Sequence, residues 1–365
     1  MKIVVFGLSI SSSWGNGHAT LWRGLVRSLT RRGWHVVFFE KDVPYYASTR
    51  DLFSIEGGEL ILYPDWESAV SQARSHIADA DVAMVTSYCP DGVSASELIF
   101  DTACPAKIFY DLDTPVTLSA VERGEALSYI GPRGLRDFDL VLSYTGGTAL
   151  DLLRTRLGAG HVWPLFGHVD PTVHRPSAPK SQYAADLSYI GTYAADRQQA
   201  LVELLLDPAR RRPDMRFVIA GAQYPEDFPW TENIFFVRHL PPEEHPAFYS
   251  SSRLTLNITR RAMADMGWCP SGRLFEAAAC AAPILADWWR GLDDFFTPGR
   301  EILVARNAED ATAALDMNDA ELKRIAARAR ERVLDEHTSD RRAAEFEMII
   351  DNVGNASANK QALQA

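Results

Sequence analysis

The chain has 365 residues, enough for two domains that each bury a core of their own. Apolar residues make up 47% and charged residues 23%, the balance of a globular enzyme. A net charge of −11 argues against a nucleic-acid binder, which needs a basic face, but leaves room for a local basic pocket for one phosphate ligand.

Ile3 to Ser9 is a continuous β-rich apolar run, expected as a buried parallel strand. It resembles a secretory leader only superficially, being short and giving way to Ser11, Ser12 and Ser13. Leu21, Trp22, Leu25, Val26 and Leu29 then follow the i, i+3, i+4 spacing of an amphipathic helix over 19–32. Gly33 ends that helix, and 36–39, closing with Glu40, reads as a second strand. Further strands are predicted at 60–63, 82–86, 106–110 and 140–143, alternating with helices at 66–77, 94–102 and 147–157.

A boundary at 166–179 contains Pro171, Pro176 and Pro179, and the pattern then restarts. Strands are predicted at 187–190, 217–220, 234–237, 254–257 and 283–286, with helices at 197–206 and 272–280. This alternation predicts two consecutive doubly wound parallel sheets of the α/β class, with functional residues in the loops after strands. The expected organisation is a first domain at 1–168, a linker at 169–179 and a second domain at 180–338. A helix at 339–353 is expected to pack back on the first domain, before a disordered tail at 354–365. No apolar run approaches the roughly 20 residues that cross a bilayer. Cys89, Cys104, Cys269 and Cys280 form no C-x-x-C pair and read as buried free thiols, so a cytoplasmic protein is expected.

The densest chemistry lies at 269–296, C-P-S-G-R-L-F-E-A-A-A-C-A-A-P-I-L-A-D-W-W-R-G-L-D-D-F-F. Ser271 and Gly272 open a helix whose free N–H groups can meet an anion, and Arg273 adds a fork of donors suited to phosphate oxygens. Glu276, one turn further in, can accept both hydroxyls of a ribose. A surface carboxylate is the competing reading, but Ala277 to Ala279 suit burial better than a solvated face. In the first half, W-G-N-G-H precedes the first helix: Gly15 and Gly17 let backbone approach a ligand, and His18 stands at the helix start as a base or as a cap. Asp111 and Asp113 follow a strand. Asp113 can orient His18 or touch an acceptor, and the Asp-x-Asp pair can alternatively bind a divalent cation. His239, Arg260 and Arg261 also follow strands, and Gly291 and Leu292 offer backbone amides.

The run S-G-R-L-F-E-A-A-A-C-A-A-P-I, followed by G-L-D-D-F-F-T-P-G-R-E-I-L-V, resembles the donor-binding segment of GT-B glycosyltransferases. It is similar above all to the bacterial spore-maturation (CgeB-like) glycosyltransferases. F-G-H-V-D-P-T-V-H-R-P is similar to the interdomain sequence of that superfamily, and I-G-T-Y-A-A-D-R to its diphosphate-clamping loop. On that match Thr192 stands where an Arg is usual and Arg197 where a Lys is usual.

The resemblance implies a GT-B fold, two Rossmann-like domains facing a central cleft. It implies transfer from a nucleoside-diphosphate sugar, a UDP-sugar, to an acceptor hydroxyl, with no metal and no cofactor beyond that donor. Donor contacts are implied at Gly17, Thr192, Arg197, His239, Arg260, Ser271, Gly272, Arg273, Glu276, Gly291 and Leu292, and catalysis at His18 with Asp113 if the reaction inverts. Many retaining members carry an acid seven residues before the ribose glutamate, where this chain has Trp268. The acceptor, the sugar and the oligomeric state are left open; neither nucleic acid nor a transmembrane segment is implied.

Two other readings stand beside it. Gly15-Asn16-Gly17 after a strand, with Glu40 closing the second strand, fits an NAD(P)-dependent oxidoreductase, although Thr20 takes the third glycine's position. Trp268 favours a non-catalytic scaffold that only binds a sugar nucleotide.

Overall fold

A computed structural model describes residues 1–352 in full and the backbone alone to Gln364. The tail expected to be disordered over 354–365 lies outside the fully described residues. The chain divides into two compact units, Met1–Phe166 with Ser339–Ala365, and Gly167–Thr338.

The first unit is built on seven strands: β1 (Lys2–Gly7), β2 (His35–Lys41), β3 (Gly58–Tyr63), β4 (Val82–Thr86), β5 (Ala106–Asp111), β6 (Leu140–Ser143) and β7 (Val162–Pro164). They lie in the order β3-β2-β1-β4-β5-β6-β7, every pair parallel. Ile3, Val4, Val5 and Phe6 are all buried because helices cover both faces of such a sheet, which is why β1 reads as an unbroken apolar run. The helix Gly17–Arg31 packs Leu21, Trp22, Leu25, Val26 and Leu29 into the core. The C-terminal helix Ser339–Gln364 adds Ala343, Phe346, Ile349 and Ile350 to the same cluster. Glu347 fixes that helix laterally, accepting from Trp34 Nε1 at 2.8 Å and from Arg32 Nη2 at 2.6 Å.

The second unit carries β8 (Leu187–Ile190), β9 (Phe217–Gly221), β10 (Ile234–Arg238), β11 (Thr255–Asn257), β12 (Ile284–Asp287) and β13 (Leu303–Ala305). Their order is β10-β9-β8-β11-β12-β13, again all parallel. Each sheet reverses its winding beside its first strand, between β1 and β4 and between β8 and β11, and loops at such switch points are where α/β sheets bind ligands.

Some elements differ from the sequence reading. The helix expected at 197–206 is a composite: a 3-10 turn Ala195–Arg197, an α turn Gln198–Leu201, a π turn Val202–Leu206 and an α turn Asp207–Arg211. Pro208 has no N–H to donate to the preceding turn, and the widened π turn ends just before it. The edge strands β7 and β13, three residues each, are too short to register as periodic runs. All four cysteines are free and buried, and no described helix is long and apolar enough to cross a membrane.

Candidate functional site

In the first unit the loop after β1 is held by Glu40, at the end of β2. The buried carboxylate accepts from Ser9 Oγ (2.9 Å), Ile10 N (2.8 Å), Ser11 N (2.9 Å) and Ser11 Oγ (2.6 Å). Both of its oxygens are occupied by this chain, so Glu40 does not present itself to a ribose as the oxidoreductase reading requires. Asn16 caps the first helix by accepting from His18 N at 3.0 Å, and its amide donates back to Ser9 O at 3.2 Å. Gly15 lies at φ +59, and the space beside Gly17 is open.

His18 then stands at the β1/β4 switch point, its Nε2 3.7 Å from Asp113 Oδ2 after β5. His18 Nδ1 is buried and has no hydrogen-bond partner. Tyr88, the second residue after β4, was not singled out by sequence. It adopts φ 64, in the left-handed region that non-glycine residues rarely enter, and its ring centroid lies 5.6 Å from that of His18. Burial and the neighbouring Asp113 and Tyr129 push its phenol up, keeping it protonated. The two aspartates do different things. Asp111 is fully buried and accepts from Thr117 Oγ1 (3.0 Å) and from the Asp113 N–H (3.2 Å), whereas Asp113 faces the imidazole. Burial pushes the Asp111 carboxyl up to about 7.

In the second unit the corresponding switch point gathers arginines. Arg273 Nη1 donates to Ile190 O at the end of β8 (2.5 Å), and Arg197 Nη2 donates to Thr192 O two residues on (2.7 Å). Gly191 between them leaves no room for a side chain, since a Cβ there would lie 2.6 Å from the Arg273 guanidinium. Burial and the nearby Arg273 pull the Arg197 guanidinium down, and its Nε has no partner. A buried and a half-buried cation side by side favour an anion between or beside them. Ser271 is the N-cap residue of the helix Gly272–Ala279, but its hydroxyl accepts from Arg273 Nε (3.3 Å) and from no helix N–H. The cap expected from sequence is therefore one of backbone geometry alone. Glu276 is 9% exposed; burial opposes its ionisation, but His174, His245 and Arg273 outweigh that and hold the carboxyl at about 2.

The other expected donor residues are more dispersed. His239 follows β10 at φ 54 and donates its N–H to Gly221 O at the end of β9 (2.9 Å). Arg260 follows β11 and pairs with Asp196 at 3.0 Å. Leu292 is fully buried and its N–H is used by Trp289 O at 3.2 Å. Gly291, at φ +91, lies against Trp268, whose ring would be 2.6 Å from any Cβ there. Trp268, where an acid is usual, donates to Asp294 Oδ2 (2.5 Å) and lies under Arg290 at 4.9 Å.

His174 and His245 were missed entirely. They come from the proline-rich segment and from the start of the helix His245–Ser250, and only folding brings them to Glu276, at 3.9 and 3.8 Å.

Residues 197–348 match a family model described as glycosyl transferase-like. No curated protein matches the sequence significantly. Among solved structures, a sucrose-phosphate synthase from Thermosynechococcus elongatus is similar at TM-score 0.71 and 15% identity, over 97% of this chain and 99% of that one. An α-glucosyltransferase in complex with UDP-glucose and DNA containing an abasic site gives TM-score 0.71 and 12% identity, over 96% and 99%. HepE from Anabaena, in complex with UDP and glucose, gives TM-score 0.64 and 11% identity, over 96% and 100%. Two parallel Rossmann-like sheets, a full-length match to such structures and a glycosyl transferase-like segment that takes in most of the second unit together give this chain the fold of the GT-B glycosyltransferases.

Proposed function

We propose that the chain is a glycosyltransferase that moves a sugar from a nucleoside-diphosphate donor, a UDP-sugar, to an acceptor hydroxyl. The observation that carries this reading is the pair of neighbouring guanidiniums, buried Arg197 and half-buried Arg273, at the C-terminal end of β8 with Glu276 one helical turn away. The arginines and the N-terminus of the helix Gly272–Ala279 would neutralise the diphosphate in place of a metal, while Glu276 takes the ribose hydroxyls. UDP as the nucleotide is supported by the UDP and UDP-glucose complexes of the similar structures.

His18 would take the acceptor proton on Nε2 if the anomeric centre inverts, with Asp113, 3.7 Å from that nitrogen, stabilising the charged imidazole. Tyr88 would restrict the ring from the other strand of the switch point. The resemblance to the CgeB-like family is part of this proposal, as is location in the cytoplasm.

The test is thermal shift with UDP, GDP, TDP, ADP and NAD(P)H, each with and without magnesium. At 100 times its dissociation constant a nucleotide stabilises the fold by about 2.7 kcal/mol, a readable rise in Tm. UDP should do so without magnesium, and Glu276→Ala should weaken that response while leaving the protein folded. Stabilisation by NAD(P)H alone, or by no nucleotide, would overturn the reading.

A further inference from the structure

We infer that His174, His245 and Glu276 form a binding site for one first-row divalent metal ion of the Zn2+ type. His174 Nε2 and His245 Nδ1 both face Glu276 Oε2, at 3.9 and 3.8 Å, and the three ligand atoms lie within 4.8 Å of one another. Those separations are too long for hydrogen bonds and too short for a bridging water. With two sides of 3.9 and 3.8 Å and a third of at most 4.8 Å, the point equidistant from the three atoms lies no more than about 2.5 Å from each, within a small side-chain adjustment of the ~2.0–2.2 Å of Zn–N and Zn–O bonds.

The protonation pattern points the same way. His245 Nε2 lies 3.3 Å from Leu240 O, which can only accept, so the ring proton belongs on Nε2 and Nδ1 presents a lone pair to the carboxylate. A carbonyl on the far ring nitrogen is the usual support of a metal-bound imidazole. His174 is 2% exposed, and its Nε2, like His245 Nδ1, is buried without a hydrogen-bond partner. Charging both rings, whose centroids are 6.0 Å apart, would bury two like charges; a single cation satisfies both nitrogens and the carboxylate at once. Arg273, the other cation facing Glu276, directs its donors to Ile190 O and Ser271 Oγ.

Three protein ligands leave a fourth position for water or a bound molecule. The ion ties the proline-rich segment that carries His174 to two helices of the second unit, and it fixes the Oε2 edge of Glu276. It leaves the diphosphate role to Arg197 and Arg273, whose donors point to Thr192 O, Ile190 O and Ser271 Oγ, and the ribose hydroxyls fall to Oε1.

The test needs no nucleotide. Chelator-stripped full-length protein is loaded with Zn2+, desalted and assayed for metal, and the same protein is titrated with Co2+ while its visible absorption is recorded. One equivalent of Zn2+ per chain is expected, with the Co2+ spectrum of a nitrogen- and oxygen-ligated site. Both should fall to near zero in His245→Ala and in His174→Ala, with circular dichroism confirming the fold; the half-buried His245 is the variant that should fold without difficulty. Absence of stoichiometric metal in the native protein, or retention undiminished in folded His245→Ala, overturns the site. Neither result bears on the UDP response, which is read on the stripped protein.

Discussion

Asp111 shows what burial does to a single group. Its carboxyl, ordinarily near 3.8, is raised to about 7, first by desolvation and then by the neighbouring Asp113, against hydrogen bonds from the Asp113 N–H and Thr117. The folded state therefore holds a proton that the unfolded chain releases, so stability is greatest below the ordinary value and declines as pH rises towards 7. Urea unfolding at pH 5 and pH 8 should show that loss, on the order of 2 kcal/mol for one such group at about 1.4 kcal/mol per pKa unit. Asp111→Asn keeps the shape and removes the titration, so the difference between the two pH values should shrink; an unchanged difference would assign it to other groups. Glu276 works in the opposite sense: its depressed carboxyl supports the fold above the ordinary carboxylate range and ceases to do so as pH falls towards about 2.

At the scale of an element, the buried start of the β1 loop is held by a residue on the neighbouring strand, while Thr49, Arg50 and Asp51 hold its next residues. Glu40 accepts two backbone N–H groups and two hydroxyls of 9–11, all in a buried setting. Glu40→Ala would strand those donors, at about 1–3 kcal/mol for each buried group left unmade, for a loss of about 3 kcal/mol or more. Chemical unfolding should report it, and hydrogen exchange should place the opening at the amides of Ile10 and Ser11. Glu40→Gln retains the acceptor oxygen and should lose much less. Equal destabilisation by both variants would mean that charge, and not acceptor geometry, holds the loop.

At the scale of the molecule, the chain returns to its first unit to finish that unit's core. Phe346 lies 5.7 Å from Trp34, ring to ring, and Ala343, Ile349 and Ile350 are buried with β1, β2 and the first helix. Deleting 339–365 would expose those apolar faces, at about 25 cal/mol per Å² returned to water. The damage should fall on Met1–Phe166 and spare Gly167–Thr338. Faster hydrogen exchange in 17–41 with unchanged exchange in 217–257 is the expected pattern; uniform acceleration would show one cooperative unit instead.

Much of this was legible in the chain. Unbroken apolar strands such as 3–6 and 82–85, alternating with amphipathic helices, determine parallel sheets covered on both faces, because only such sheets bury every strand residue. The helix-start positions of His18 and Arg273 and the place of Asp113 after a strand could be read from local pattern, and a parallel sheet sends all its strand C-termini to one edge. Periodicity could not say that Glu40 turns inward to its own loop, that Trp268 fills the space beside Gly291, or that Tyr88 leans on His18. His174, His245 and Glu276 are separated by 71 and 31 residues of sequence, and nothing local links them. Local pattern reports which face of an element is apolar, whereas a site assembled from three distant elements exists only once packing has chosen their neighbours.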